Sequence, residues 1–265
     1  MLKDITLGQY FPGDTVVHRL DPRTKILGLI LYIVAIFEAS GWVGNALMIV
    51  LTALCMAVSH IKPRNIFKGL KPMLFIIVFT GALNLFYTDG TPVLPGWPIT
   101  WEGAERSAKM ILRIVLLITG TFLLTYTTSP MELTDGLDRL LSPLRKIHVP
   151  VHEITMMMSM ALRFIPTLIE ETDKIMSAQK ARGADFENGS LLKRAKALLP
   201  ILVPLFVSSF RRADELAVAM ESRCYHGGEG RTRMKQLRFA PRDLWALLLA
   251  VLLLAGLIVL KRYGL

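Results

Sequence analysis

Residues 42 to 59, WVGNALMIVLTALCMAVS, and 244 to 260, LWALLLAVLLLAGLIVL, contain no charged side chain. As helix, runs of this length approach the roughly 20 residues that cross a bilayer, and a backbone in lipid must satisfy its own hydrogen bonds. A chain holding such runs is built from transmembrane helices. Residues 72 to 87 repeat the pattern slightly short. Residues 110 to 128 carry one cation, Arg113, a turn from the polar end, where a long side chain snorkels to the interface. The shortest run, 26 to 37, covers only about 18 Å as helix and depends on its flanks. Lys25 is expected to snorkel at one end, Glu38-Ala39-Ser40-Gly41 offers a tight return at the other, and Asp21-Pro22 reads as an N-cap followed by proline at the first helical position.

The predicted fold is an all-α integral membrane protein with about five transmembrane helices plus a cytoplasmic domain of one short and two long helices. Residues 1–128 hold four spans, about 24–40, 42–60, 71–88 and 108–128. Residues 129–240 form the cytoplasmic helical region, and 241–265 the C-terminal span.

Composition agrees. Hydrophobic residues make up 52% and charged ones 20%, and the mean hydropathy of +0.46 is too apolar for an ordinary soluble domain. A net charge of +10 raises nucleic acid as a partner, but the interleaved aromatic and basic residues of such a surface are missing, so none is expected. In a membrane protein basic residues mark cytoplasmic loops. Cys55 sits in an apolar run and Cys224 in a charged region, which excludes a disulfide framework and leaves plain thiols. The start, MLKDITLGQYFPGD, is polar where an apolar targeting core would begin, so no cleavable signal is expected.

Loop charge sets the orientation. The connection 60–71 carries Lys62, Arg64, Lys68 and Lys71 with no acid, whereas 88–108 carries Asp89, Glu102 and Glu105 against Arg106. The first loop is therefore cytoplasmic and the second external. Residues 129–243 hold 18 of the 31 basic residues, which places them inside, with the N-terminus cytoplasmic and the C-terminus external. The external stretch TDGTPVLPGWPITWEG suits turns and interfacial anchoring.

Within the cytoplasmic region the apolar period is that of helices packed lengthwise. One stripe runs Ile154, Met158, Ala161, Ile165, Leu168, Thr172, Ile175, Gln179, and its next step of three lands on Arg182. The second runs Leu192, Ala195, Leu199, Leu202, Phe206, Ser209, Ala213, Leu216, Met220 and lands on Arg223. Both arginines are thus predicted to continue a buried stripe at the ends of rods roughly 43 and 48 Å long. Pro166, Pro200 and Pro204 fall off the stripes and would bend the rods without interrupting the seam. A shorter helix, about 132 to 146, precedes them.

The stripe ends align as A-x-x-A-R-G at 178–183 and A-x-x-S-R-C at 219–224. Small neighbours admit another backbone, and a guanidinium presents five donors in a planar fork suited to carboxylates and clustered carbonyls. A cation in a last helical turn is also what the helix dipole favours, with Gly183 or Gly227 as an ordinary terminator. Recurrence at the same point of the pattern favours a pair of docking points, Ala181-Arg182-Gly183 and Ser222-Arg223-Cys224.

HRLDPRTK near the start, SPLRKIHVPVHEITMMMSMALRFIPTLIEETDKIMSAQKARGADF and LFVSSFRRADELAVAMESRCYHGGEGRTRM resemble the transmembrane (T) component of energy-coupling factor transporters over nearly the whole chain. The resemblance implies a scaffold in a bacterial cell membrane, without catalytic activity. It would join two cytoplasmic ABC ATPase subunits, which bind ATP and Mg, to a small, interchangeable substrate-binding (S) membrane subunit for uptake of vitamins or similar micronutrients. It also implies that Ala181, Arg182, Gly183 and Ser222, Arg223, Cys224 cap coupling helices that sit in ATPase grooves, the second departing from the Ala-Arg-Gly form, and that the ATPase module is shared among several S subunits.

Other signals carry less. His148 and His152 are four apart, but Pro150 between them breaks the helix a metal pair would need. HEITM lacks the second histidine of a zinc protease motif, and no G-x-x-x-x-G-K-[ST] phosphate loop occurs. No catalytic, metal or cofactor residue is expected. The Met156–Met160 run reads as core packing or as a surface for interchangeable partners. Asn84 and Glu38 read as helix-to-helix contacts or transport-path residues, and HGGEGRTR as a flexible basic linker. One competing reading is the permease subunit of a conventional ABC importer docking through one loop, for which AQKARGADFENGSLLKRAKALLP is loosely similar; it leaves Arg223 unexplained. A membrane-embedded hydrolase lacks a nucleophile with a base at sensible spacing.

Overall fold

The computed structural model describes residues 10–92, 99–184, 186, 190–227 and 237–263. The extreme N-terminus, the centre of the predicted external hairpin and most of the predicted basic linker lie outside them. Among the described residues nine α-helices form: α1 Pro22–Glu38, α2 Trp42–Ser59, α3 Pro63–Leu70, α4 Leu74–Tyr87, α5 Trp101–Thr127, α6 Pro130–Leu141, α7 Val151–Ala181, α8 Leu191–Glu221 and α9 Pro241–Arg262. Residues 10–136 with 237–263 form one compact unit, and residues 137–227 another.

In the first unit, four stretches are long and apolar enough to cross a membrane: α2, the run Pro63–Tyr87, α5 and α9. Pro63–Tyr87 is α3 and α4 joined by a 3-10 turn over Lys71–Met73, where Pro72 removes a helical donor. Helix therefore begins at Pro63 rather than near residue 71. α5 likewise begins at Trp101, because the Thr100 hydroxyl accepts from the Gly103 N–H at 3.1 Å and caps it. α1, at 17 residues, is about 26 Å long, against a hydrocarbon core of about 30 Å. As expected, the Asp21 side chain accepts from the Arg23 N–H at 2.9 Å, with Pro22 at the first position.

The core of this unit is small and lies where α1, α2, α5 and α9 converge on Ala35, Ile36, Met48, Leu116 and Leu257. Outward side chains such as Phe75, Phe79 and Leu249 are apolar and exposed, which suits a lipid surround. Small residues set the close approaches, as in membrane bundles generally. Tyr32 of α1 lies flat against Gly120 of α5, where an added Cβ would overlap the ring, and its hydroxyl bonds Thr52 Oγ1 at 2.7 Å and the Leu116 carbonyl at 3.1 Å.

Lys25 does not snorkel. It is 8% exposed, and its Nζ donates to the carbonyls of His18 at 3.1 Å and Thr127 at 2.8 Å, tying α1 to the C-terminal end of α5. Beside it, Asp243 at the start of α9 is 1% exposed and accepts from the backbone N–H groups of Asp21 and Ala240, both at 2.8 Å. Arg23 stacks over Phe239, 4.9 Å from the ring centroid. HRLDPRTK thus gathers the starts of α1 and α9 and the end of α5. At the opposite end Lys261 pairs with Glu38 at 2.8 Å, and Arg113 lies over Phe37. Asn84 donates within its own helix to Thr80.

In the second unit the predicted short helix ends at Leu141 and continues as a 3-10 turn, Ser142–Ile147. Asp138, 2% exposed, accepts from the Thr155 hydroxyl of α7 at 2.7 Å and pairs with Arg145 at 3.4 Å. This fixes the corner into α7. His148 takes a left-handed conformation with φ 63° before Pro150, so no helix runs through both histidines. α7 and α8 pack antiparallel: Glu171 meets Ser208 and Arg212, and Tyr225 meets Met156.

The α8 seam differs from the expected one. Leu199, Leu202 and Phe206 are exposed, while Ile201 is buried and Leu205, Ser208, Arg212, Leu216 and Met220 are half-buried. α8 is apolar on two faces in its first half, and the face stepping mainly by four packs on α7. Pro166, Pro200 and Pro204 are all exposed, off the contact.

The Ser208 hydroxyl and the Arg212 guanidinium, the latter at 2.7 Å, hold the Glu171 carboxyl below the usual carboxylate range. Because the folded value is depressed, this clamp stabilises the hairpin above the ordinary value of 4.5, and the contribution is lost as pH falls through the folded value. Spin-label distances between α7 and α8 should therefore stay constant from neutral pH down through the ordinary carboxylate value and broaden only in more acid solution, whereas Glu171→Ala should broaden them at every pH.

Candidate coupling site at two helix ends

Each long helix stops in the same way. At the end of α7, Gly183 N–H donates to the Lys180 carbonyl at 3.0 Å and Ala184 N–H to Gln179 at 3.0 Å, with Gly183 at φ +87°. At the end of α8, Cys224 N–H donates to Glu221 at 2.8 Å and Tyr225 N–H to Met220 at 3.0 Å, with Cys224 at φ +55°. A bond reaching back five residues around one left-handed residue is the Schellman stop, which satisfies orphan carbonyls at a helix end. In both copies the arginine stands immediately before the left-handed residue, so the local chain projects two guanidiniums from equivalent frames.

Of the two glycines that would serve as ordinary terminators, Gly183 does so; at the second stop Cys224 takes that place, and Gly227 (φ +101°) follows three residues later. The departure from Ala-Arg-Gly therefore has a physical meaning. Glycine enters the left-handed region freely, while a residue with a Cβ is strained there by about 1 kcal/mol. A Cβ added at Gly183 meets nothing within 4 Å, so Gly183→Ala should cost about 1 kcal/mol through backbone strain alone, and Cys224→Gly should gain about 0.5–1 kcal/mol. Thermal unfolding of the two variants checks the opposite signs.

Neither arginine continues a buried stripe. Ala181, Arg182, Gly183, Ser222, Arg223 and Cys224 are all exposed, as are Ala178 and Ala219 one turn earlier. The seam therefore ends about a turn before each arginine, while the chain is still helical. Among the described residues neither guanidinium has an ion-pair or hydrogen-bond partner, and each sits beside small side chains.

The clamp relates the two ends. Glu171 and Arg212 are 41 positions apart in sequence, as are Arg182 and Arg223, so the clamp joins equivalent positions of the two rods. Each arginine stands eleven residues beyond the clamp on its own helix, about 16 Å, and the antiparallel packing sends the two arms in opposite directions. Sequence reading missed this pair; applying the 41-residue offset upstream of the arginines would have matched an acid with a base. It missed Asp243 as well, one of whose partners, Asp21, lies 222 positions away.

An all-α bundle with apolar outward faces, together with a hairpin that ends in two matched, exposed, arginine-bearing stops, defines a membrane-protein subunit; among the described residues no cluster of His, Cys, Asp and Glu could hold a metal. The sequence profile of the family described as cobalt transport protein matches residues 13–234. The chain is 56% identical over 257 residues to the energy-coupling factor transporter transmembrane protein EcfT of Clostridium kluyveri, covering 96% of this chain and 95% of that one. It is 51% identical to the protein of the same name from Ruminiclostridium cellulolyticum, with 98% of each chain covered. The protein of that name from Lactococcus lactis is 45% identical, again with 98% of each covered. The chain belongs to this family, and it is the transmembrane coupling subunit of an energy-coupling factor transporter. The conventional-permease reading is not favoured.

Proposed function

We propose that Arg182 and Arg223, each with its small neighbours, are the docking points for two cytoplasmic ABC ATPase subunits, and that α7 and α8 carry the displacement of those subunits into the membrane. ATP and Mg belong to the ATPases; this chain binds no cofactor. The observation that carries the reading is the pair of matched helix stops presenting exposed guanidiniums, without partners among the described residues, at equal distances from one clamp. When two ATPase grooves close on each other, two points on opposite arms are drawn together and the hairpin turns about Glu171–Arg212.

The neighbour that receives this motion is a small substrate-binding membrane subunit, which would select vitamins or similar micronutrients as cargo. The exposed face Leu199, Leu202, Val203 and Phe206 of α8 suits an apolar partner of that kind. Lys62, Arg64 and Lys68 beside α3, with the basic residues of 137–227, support a cytoplasmic N-terminus and an external C-terminus. Affinity purification of the tagged chain from its native membrane tests the assignment: two nucleotide-binding proteins and a small apolar membrane protein should accompany the unaltered chain, and the nucleotide-binding pair should be absent from the Arg182→Ala/Arg223→Ala variant. Retention of that pair by the double variant overturns it.

A further inference from the structure

Between α2 and α9, floored by α1 and the last turns of α5, lies an apolar cleft of about 730 Å³. Most of its lining is aliphatic, and a Cβ added at Gly28 or Gly256 on its walls meets nothing within 4 Å, so the two glycines widen it. Polarity is concentrated at one end, at Thr24, Lys25 and Thr127. The Tyr32–Thr52 pair midway is already closed on itself. An ammonium has three donors; Lys25 places two of them, on His18 and Thr127. The Thr24 hydroxyl, on a residue 2% exposed, has no partner among the described residues.

The polar end decides between occupants. An apolar transmembrane helix of a partner would set aliphatic side chains against the Lys25 ammonium and the Thr24 hydroxyl and offer neither an acceptor. A lipid brings a hydrocarbon chain for the aliphatic walls and an anionic head for that end. Asp21, Asp243 and Glu132 act on Lys25 at that end too. Asp243 is taken up by two backbone N–H groups and Asp21 lies 3.6 Å from Arg23. A free phosphate would meet these carboxylates with nothing to offset them; a phosphate carried on an acyl chain brings the apolar contact with it.

We propose that this cleft binds one phospholipid from the leaflet at its Lys25 end. Its acyl chain lies along α1 between α2 and α9, and its phosphate accepts from Lys25 Nζ and Thr24 Oγ1. The lipid thereby fills the gap between the second and last membrane helices. The assignment depends on membrane embedding alone and not on the ATPase contacts.

The test uses the full-length chain in vesicles of phosphatidylethanolamine containing phosphatidylglycerol with a diazirine midway along one acyl chain. After illumination, adducts should concentrate several-fold on the α1 and α9 segments lining the cleft, relative to the outward face of α4 around Phe75 and Phe79. Thr24→Val should lower cleft labelling several-fold with an unchanged unfolding temperature, and Gly28→Leu with Gly256→Leu should abolish it while leaving α4 labelling intact. Even labelling over all lipid-facing helices, or cleft labelling unchanged in Thr24→Val, overturns the proposal. So does loss of cleft labelling in the assembled transporter, which would assign the cleft to a partner's helix. Should the double leucine variant not be recovered, the unaltered chain and Thr24→Val decide the matter alone.

Discussion

Replacing both Arg182 and Arg223 with alanine is expected to strip the ATPases from the chain while leaving its helices and membrane insertion intact. Both side chains are exposed and lack partners among the described residues, and the stops beneath them are made by backbone bonds and the left-handed Gly183 and Cys224. Truncation removes no internal support. An arginine anchored in a partner groove is worth about 2 kcal/mol or more, so each single variant should weaken its own contact by roughly thirtyfold, and the pair should leave no complex at micromolar concentrations. Lysine at either position should recover only part of the affinity, because a point charge does not reproduce the two-pronged fork. Binding of purified ATPases to the chain in nanodiscs reads all of this directly. Unchanged affinity in the double variant would show that the two stops are simply well-capped helix ends.

The second large effect is on stability. Asp243→Ala is expected to destabilise the membrane unit by roughly 2–6 kcal/mol, since it leaves the buried N–H groups of Asp21 and Ala240 without acceptors, at about 1–3 kcal/mol each. Asp243→Asn should fall between, keeping one acceptor while turning an amide donor toward the other N–H. A substantial drop in unfolding temperature for alanine and a smaller one for asparagine would establish the node. No change in either would mean that water supplies these groups without loss.

Much of this architecture was legible in the apolar runs, because lipid forces the backbone to satisfy itself and leaves few alternatives to helix. The Asp21-Pro22 start of α1 was equally readable, since cap and proline act locally. Other features were not. Lys25 reads as a snorkelling residue when only its own helix is considered, and its burial follows from two carbonyls supplied by distant parts of the chain. The α8 seam was ambiguous because Leu199, Leu202 and Phe206 satisfy the helical period as well as Ile201 and Leu205 do; which face packs was decided by Glu171 reaching Ser208 and Arg212. The left-handed turn at Cys224 was not legible either, because glycine is the residue that enters that region without strain, whereas the chain accepts the strain at Cys224. The arginines were found as a recurring pair, but their exposure was not foreseen, since the helical period continues to each of them while the contact has already ended a turn earlier, at the exposed Ala178 and Ala219.

Asp243 fastens the start of the last helix to the residue that caps the first, 222 positions away in the chain. An open string of helices frays from whichever end is held least. Here the two ends are knotted to each other, so neither α1 nor α9 peels away without breaking a buried, charge-assisted bond.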